Sequence, residues 1–441
     1  MRRHYIVPAI LLLLTLIYFP LRDYSVLEPK QLQTILVFIA LFLMLAMEYR
    51  HRTVASLTSL LILWFLGILK GEDMIHYLDL DVLGLLFGMM VIVETLREAR
   101  FLSMLVRVLI SLGFRKIYHL TIILSLFTFI TSAFLDNATV MLIIIPMTLG
   151  ICETLNLGRV AVPVLIALSI SSNLGGALTP IGDPPNIMAY SYLRISFIGF
   201  ILNIGPPTLL IYAISLVAIM TLFRREMVLE IRDKNNKDKL KIEKNSFLII
   251  SILTLVFVLL LFLLQDLTKI SPSTSALYGA TFLMIIGGRR MAPILREVNW
   301  DLLIFLGSIL IFSGSLEKVG ILHLLAQIIS KSTHGNPHIL ITLIAWLSSL
   351  ISALVDNIPY AAVMIPVVDE LVGLTGCHKL WWVFLLSVGL GGIATPIASV
   401  PSLLTYSALR DKFGLKFLEF MKIGLLMWII LTLSLNLYYL L

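Results

Sequence analysis

Apolar stretches long enough to cross a membrane follow one another along almost the whole chain, and this succession limits the folds open to it. Candidate spans fall near 5–21, 33–48, 54–69, 80–96, 161–193, 197–222, 247–264, 274–288, 299–316, 380–409 and 418–440. Two further apolar pairs, 117–135 with 139–156 and 338–355 with 359–374, each return the chain to the side it came from. About 20 apolar residues cross a bilayer as a helix. Hydrocarbon offers no partner to a backbone N–H or C=O, so only helices or closed barrels span it. Unbroken apolar runs read as helices rather than as alternating barrel strands, and an all-α polytopic membrane protein is expected. Composition agrees: 59% of the 441 residues are hydrophobic and 13% charged, against about 25% charged in soluble domains, with a mean hydropathy of +1.00. So few charges cannot cover a water-facing surface, which excludes a soluble enzyme and a disordered chain alike.

Cys152 and Cys377 cannot build a disulfide framework and read as core residues. The run Tyr5–Phe19 after Met1-Arg2-Arg3-His4 lacks a small-residue cleavage site, so it reads as a retained first helix. With the N-terminus in the cytoplasm, 25 Lys and Arg residues fall inside and 8 outside, the bias expected of a cytoplasmic side. This places the protein in the plasma or inner membrane with its C-terminus outside. The net charge of +7 follows from orientation and anionic lipid and calls for no nucleic acid. The one long polar segment, 223–246, reads as a solvated cytoplasmic linker.

The two halves resemble one another at an offset of 220. Asp81 aligns with Asp301, Asp136-Asn137 with Asp356-Asn357, and Pro146 with Pro366. After a four-residue contraction, Gly175-Gly-Ala-Leu-Thr-Pro-Ile aligns with Gly391-Gly-Ile-Ala-Thr-Pro-Ile, and Pro185 with Pro401. By charge, Asp81 starts its span outside and Asp301 inside, so the repeats are expected to be inverted, an arrangement that secondary transporters use. The expected organisation is N-terminal helices at 1–79, a first repeat at 80–222, the linker 223–246, connecting helices at 247–298 and a second repeat at 299–441.

Two kinds of polar interruption carry the chemistry. The first is Asp136-Asn137-Ala-Thr139 between apolar arms, matched by Asp356-Asn357. A charge at bilayer depth costs about 2.5–3.5 kcal/mol on insertion scales, and a re-entrant hairpin tip buried in protein offsets that cost through the free groups at its helix ends. The alternative is a tight turn between two full crossings. The second interruption runs from Ser171 to Asn186. Three prolines and three glycines within twelve residues unwind a helix, and unwound backbone at this depth must be covered or line a cavity. Asn173, Thr179 and Asn186 add side-chain oxygens. Its counterpart, Gly389 to Ser402, holds Thr395, Ser399 and Ser402 but no acid, so the half-sites are unequal. Glu94, Glu153, Glu317, Asp369 and Glu370 sit near span ends and read as snorkelling groups. His334 and His338 flank Gly335-Asn336-Pro337, which is not a helical metal-binding spacing.

The run from Phe134 through Asp136-Asn137-Ala-Thr139 to Pro146, followed by Ser172-Asn-Leu-Gly-Gly-Ala-Leu-Thr-Pro-Ile-Gly-Asp-Pro-Pro-Asn186, closely resembles the ion transporter superfamily. Within it the likeness is to the branch of arsenite permeases, NhaD-type sodium/proton antiporters and the melanosomal P protein. Asp356-Asn-Ile-Pro359 with Met364-Ile-Pro366 is similar to that branch's second hairpin. The resemblance implies a homodimer in which each protomer carries a scaffold and a transport domain moving like an elevator. It implies a cation or proton site at Asp136, Asn137, Thr139, Gly176 and Thr179, with sodium at Asn137, Thr139 and Thr179. It implies a substrate pocket shaped by Asn173, Gly182, Asp183, Asn186, Asp356, Asn357, Thr395, Ser399 and Ser402. Relatives often carry Asn where this chain has Ile393 and Ser402.

The expected function is cation-coupled secondary transport of a small ion, with sodium or protons as coupling ion and no other cofactor. Arsenite-type oxyanions, carboxylates and sodium/proton exchange all remain open as cargo. Two rivals are a passive channel and an intramembrane aspartyl protease using Asp136 and Asp183 as a dyad; the latter lacks the fuller Gly-x-Gly-Asp pattern, since residue 180 is Pro. No phosphate-binding loop is present, so ATP-driven pumping would require a separate ATPase partner.

Overall fold

The computed structural model describes residues 28–46, 51–101, 104, 116–154, 157–193, 195–229 and 246–441. The expected first helix at 5–21 and most of the basic segment 223–246 lie outside the described residues, as do several of the arginines and lysines in the charge count.

Every described element is helical. The helices are α1 (Pro29–Ala46), α2 (Arg52–Phe65), α3 (Gly71–Tyr77), α4 (Leu80–Glu98), α5 (Ile117–Ser132), α6 (Asn137–Thr154), α7 (Ala161–Ala177), α8 (Pro184–Leu193), α9 (Phe197–Leu222) and α10 (Ser246–Leu263). They continue with α11 (Pro272–Gly287), α12 (Met291–Glu297), α13 (Trp300–Lys318), α14 (Ile321–Ser332), α15 (Pro337–Leu354), α16 (Asn357–Thr375), α17 (Lys379–Ala394), α18 (Val400–Phe413) and α19 (Phe417–Leu440). Seven described helices are long and apolar enough for a crossing: 158–177, α9, α10, α13, α15, α16 and α19. The pair α3–α4, bent by 56°, makes an eighth. This bend has a local cause. Asp79 accepts hydrogen bonds from the Asp81 and Val82 N–H groups at 3.0 Å, so it caps a new helix where the chain has just left the old one.

Element order repeats. A long helix (α4, α13) precedes a helix–turn–helix pair (α5/α6, α15/α16), then a broken helix (α7/α8, α17/α18), then a long closing helix (α9, α19). The turns fall at 133–136 and 355–356, and the breaks at 178–183 and 395–399. Both interruptions thus lie where the Gly, Pro and Asp-Asn clusters placed them. The second pair has arms of 18 and 19 residues, long enough for a full crossing, whereas α5 has 16. The helices α4 and α13 run antiparallel. Arg97 near the end of α4 pairs with Glu297 just before α13 at 3.2 Å, and Lys318 at the end of α13 pairs with Asp73 just before α4 at 2.6 Å.

Packing separates the described helices into two bodies. In one, α2 and α4 pack on α13 and α11, with α1, α3, α10 and α12 alongside. In the other, α7 and α17 lie together at the centre, with α5, α6, α9, α15, α16, α18 and α19 around them. Each short arm packs across the repeat: α8 on α16, and α18 on α6. The bodies meet where α13 and α14 touch α16 and where α4 touches α8. All of α7 is buried, and so is α17 from Leu380 onward; an element apolar on every side belongs in the middle of such a bundle.

Close approach at the centre depends on glycine. A Cβ at Gly175 would overlap the Phe129 backbone of α5, and one at Gly391 would lie 2.6 Å from the Ser349 carbonyl oxygen of α15. The two contacts are equivalent across the repeat. Gly175→Ala and Gly391→Ala should each destabilise the detergent-solubilised protein by about 1–3 kcal/mol through overpacking, seen as a lower Tm. Gly373→Ala, in α16 with open space around its Cβ, should be neutral or slightly stabilising.

Candidate functional site

Unwinding a helix in the protein interior frees carbonyl oxygens, and the structure supplies a donor for several of them. At the first break the Asn186 amide lies 3.2, 3.0 and 2.9 Å from the Gly176, Ala177 and Thr179 carbonyl oxygens. The Thr179 hydroxyl donates to the Ala133 carbonyl at the end of α5, tying the break to the first turn. The Gly182 N–H donates to the Thr179 carbonyl at 3.4 Å. A Cβ at Gly182 would lie 2.5 Å from the Gly176 carbonyl oxygen, so the fold back over the helix end requires glycine there.

The second break repeats this plan with smaller groups. The Thr395 hydroxyl donates to the Ala353 carbonyl at 2.9 Å, the counterpart of Thr179 on Ala133. The Ser399 and Ser402 hydroxyls, at 2.8 and 2.7 Å, take the Gly392 carbonyl where Asn186 took that of Gly176. Ser402 therefore closes the helix end as Asn186 does at the first break. The second break lies against α7. Ser169 and Ser402 Oγ are 3.3 Å apart, and a Cβ at Gly392 would lie 3.1 Å from Asn173 Oδ1. The Asn173 amide itself donates to Ser169 one turn back, at 3.1 Å.

The turns differ in one decisive respect. In the second, Asn357 Oδ1 lies 2.6 Å from the Ser352 hydroxyl. In the first, the equivalent Ser132 pairs instead with Ser172 of α7 at 3.0 Å, and the buried Asn137 Oδ1 has no hydrogen-bond partner among the described residues. The Asn137 side chain lies against Gly176, where a Cβ would meet its amide atoms at 2.5–2.7 Å. A buried oxygen without a donor costs about 1–3 kcal/mol, and an oxygen-seeking cation removes that cost.

Carboxylates gather around these turns. Asp136 Oδ2 caps α6, accepting from the Thr139 N–H at 3.0 Å and hydroxyl at 3.2 Å. Asp356 Oδ1 caps α16 through the Ile358 N–H at 3.1 Å. Asp183 lies in the first break, and no side-chain donor reaches it among the described residues. A cavity of about 330 Å3 reaches Asp136, Thr139 and Gly182. Its wall also holds Glu94, Arg97, Glu297 and Asn299. Arg97 is engaged by Glu94 at 2.6 Å and Glu297 at 3.2 Å.

Of the residues expected from sequence, Asp136, Thr139 and Gly182 line this cavity. Asn137, Gly176, Thr179 and Asn186 form a packed layer behind it, with Asn186 and Thr179 satisfying carbonyls. Thr395, Ser399 and Ser402 close the second break, and Asn173 faces it. Sequence reasoning missed two residues. Glu94 was read as a snorkelling group but lines the cavity beside Asp136. Arg52 is one of the 25 basic residues that the charge count places on the cytoplasmic side, yet it opens α2 and reaches Asp301 at 2.7 Å and Asp356 at 3.9 Å. Neither has a local signal, because both acquire their neighbours from segments far away in the chain.

Comparison with known proteins adds an independent finding. The profile of the family described as citrate transporter (CitMHS) matches residues 40–387. An uncharacterised transporter of Mycobacterium tuberculosis is 32% identical over 379 residues, covering 83% of this chain and 87% of its own. A 46 kDa membrane protein of Mycobacterium leprae is 31% identical over 382 residues, with the same two coverages. The P protein of Homo sapiens is 26% identical over 481 residues, covering 88% of this chain but 57% of its own.

The paired threonines give a direct test of the layout. Thr179→Val and Thr395→Val each leave a buried carbonyl without its donor, at a cost of about 1–3 kcal/mol. Both should lower the Tm in detergent by similar amounts, whereas Thr58→Val, on an exposed turn of α2, should leave it unchanged.

Proposed function

Because the chain belongs to the citrate transporter (CitMHS) family, and is therefore a membrane transporter rather than an enzyme, we propose that it is a secondary active transporter driven by a sodium or proton gradient. The observation that carries this reading is Asn137 Oδ1, a buried oxygen with no donor, set between Asp136 and the first break. Sodium ligands are hard oxygens, and Asn137, Thr139 and Thr179 with the carbonyls around Gly176 supply them. Asp136 and Asp183 would carry the compensating charge. Asp136 already has donors to hold its anion, whereas Asp183 has none and gains most from a bound cation or proton. The second turn has spent its equivalent oxygen on Ser352, so we infer one cation site rather than two.

The repeated element order and the antiparallel α4 and α13 support inverted repeats, with the two turns read as re-entrant tips. Motion of the α7/α17 body along the α4/α13 body would carry the site across the membrane like an elevator, within a homodimer. The proposed setting is the plasma or inner membrane, with the N-terminus cytoplasmic and the C-terminus outside. The ion pairs are consistent with this, since Arg52–Asp301, Arg97–Glu297 and Lys318–Asp73 each join residues that the charge bias assigns to one side.

For the cargo, the cavity favours a cation. Three carboxylates line it, and its one guanidinium is already shared between two of them. Sodium/proton exchange is therefore the leading reading. The family's description favours the second, a carboxylate; an arsenite-type oxyanion is the third. An anion in this cavity would need Arg97 released or a cation bound beside it.

Internal pH in proteoliposomes, with an acid interior and a sodium pulse outside, distinguishes these readings. Exchange predicts sodium-driven alkalinisation that saturates and falls at least tenfold in Asp136→Asn. Uptake of citrate or arsenite under an imposed gradient, with no response to sodium alone, would move the assignment to the anion readings. Flux that neither saturates nor couples would make the protein a channel.

A further inference from the structure

Arg52 has no part in the cation site, yet it is held with care. Its Nε donates to Asp301 Oδ2 at 2.7 Å, and its guanidinium carbon lies 5.3 Å from the Phe305 ring centre. Asp301 is itself fixed by the Thr53 hydroxyl and by His51 Nδ1 at 3.2 Å. All five residues belong to α2, its N-cap and α13, inside one body. This clamp uses one edge of the guanidinium and leaves the other free. The free edge faces the other body, with Nη1 3.9 Å from Asp356 Oδ2 at the second turn. Asp356 Oδ1 is occupied as the α16 cap, so the oxygen turned to Arg52 is the uncommitted one. One permanent cation, fixed in the first body, thus stands beside the carboxylate of the second turn in the other body.

We propose that Arg52 is a tethered counter-ion for the unloaded site: it pairs with Asp356 while no cation neutralises the turn carboxylates, and so holds the two bodies in the position where the cavity is open. A guanidinium cannot be deprotonated and cannot leave its body, so it can stand in for a bound ion without being transported. A contact made in only one position biases the population toward that position. When a cation supplies the missing charge, the turn no longer needs Arg52 and the bodies can separate there. Such a tether disfavours movement of the empty carrier and so tightens coupling. The proposal takes from the transport reading only the motion of one body against the other.

Leu142 lines the cavity and is half exposed. In a protein with Cys152 and Cys377 replaced by alanine, Leu142→Cys reports cavity opening through its rate of alkylation by a water-soluble maleimide. In sodium-free proteoliposomes, Arg52→Gln should slow this labelling at least threefold, and Arg52→Lys should return it to within twofold of the parent. Asp356→Asn breaks the same contact from the other side and should match Arg52→Gln, with the double variant going no further than either single change. Asp356→Asn also keeps the test available if Arg52→Gln fails to fold. Unchanged labelling in both variants, or slowing that adds in the double variant, overturns the proposal. Sodium added to the parent separates this inference from the one beneath it. If the variants slow labelling and sodium does not, the tether stands and sodium coupling falls.

Discussion

Helix ends buried away from water leave backbone carbonyls with no solvent to turn to, and the centre of this protein is arranged around that constraint. Asn186 spreads its amide over three carbonyls at the first break; Ser399 and Ser402 share one at the second. Thr179 and Thr395 reach out of the breaks to cap the adjoining turns at Ala133 and Ala353. These donors are spent on backbone, so the breaks are held by several hydrogen bonds despite their proline and glycine content. Those bonds fix the geometry of the oxygens left over for a ligand.

Near-symmetry makes the difference between the two turns informative. Each half brings glycine to the same place on a hairpin arm, Gly175 on Phe129 and Gly391 on Ser349. Each half caps its second hairpin arm with an aspartate. Ser132 turns to Ser172 while Ser352 turns to Asn357, and this single exchange leaves Asn137 Oδ1 without a donor. Seven buried side-chain polar atoms lack a partner among the described residues, and Asn137 Oδ1 is the one of them that stands next to a hairpin turn, beside Asp136.

Placement of the charges completes the picture. The acids at the turns and in the first break belong to one body, whereas Glu94, Arg97, Asp301 and Arg52 belong to the other. Any motion between the bodies must therefore remake electrostatic contacts, and the ion that neutralises the turns would govern which contacts survive. This links binding at one place to movement at the interface through charge alone, without a change of secondary structure.

The helical, membrane-spanning class, the positions of both turns and both breaks, and the pairing of the two halves were legible in the residues. All of them rest on local physics: apolar run length, proline and glycine unwinding, and aspartate capping act within a few residues of chain. The Asp-Asn and Gly-Gly-x-x-Thr-Pro-Ile clusters therefore marked the right places. Tertiary structure alone decided which of those polar groups stay available. Asn186 looks like a ligand in sequence but spends its amide on the backbone, and Thr179 gives its proton to the Ala133 carbonyl and keeps only lone pairs. Glu94 looks like a span-end charge but lines the cavity, and Arg52 reaches the second turn. The reason is distance along the chain. The partners of Ser132, Thr179 and Arg52 come from segments 40 to about 300 residues away, and nothing in those residues' own neighbourhood records which of them will arrive.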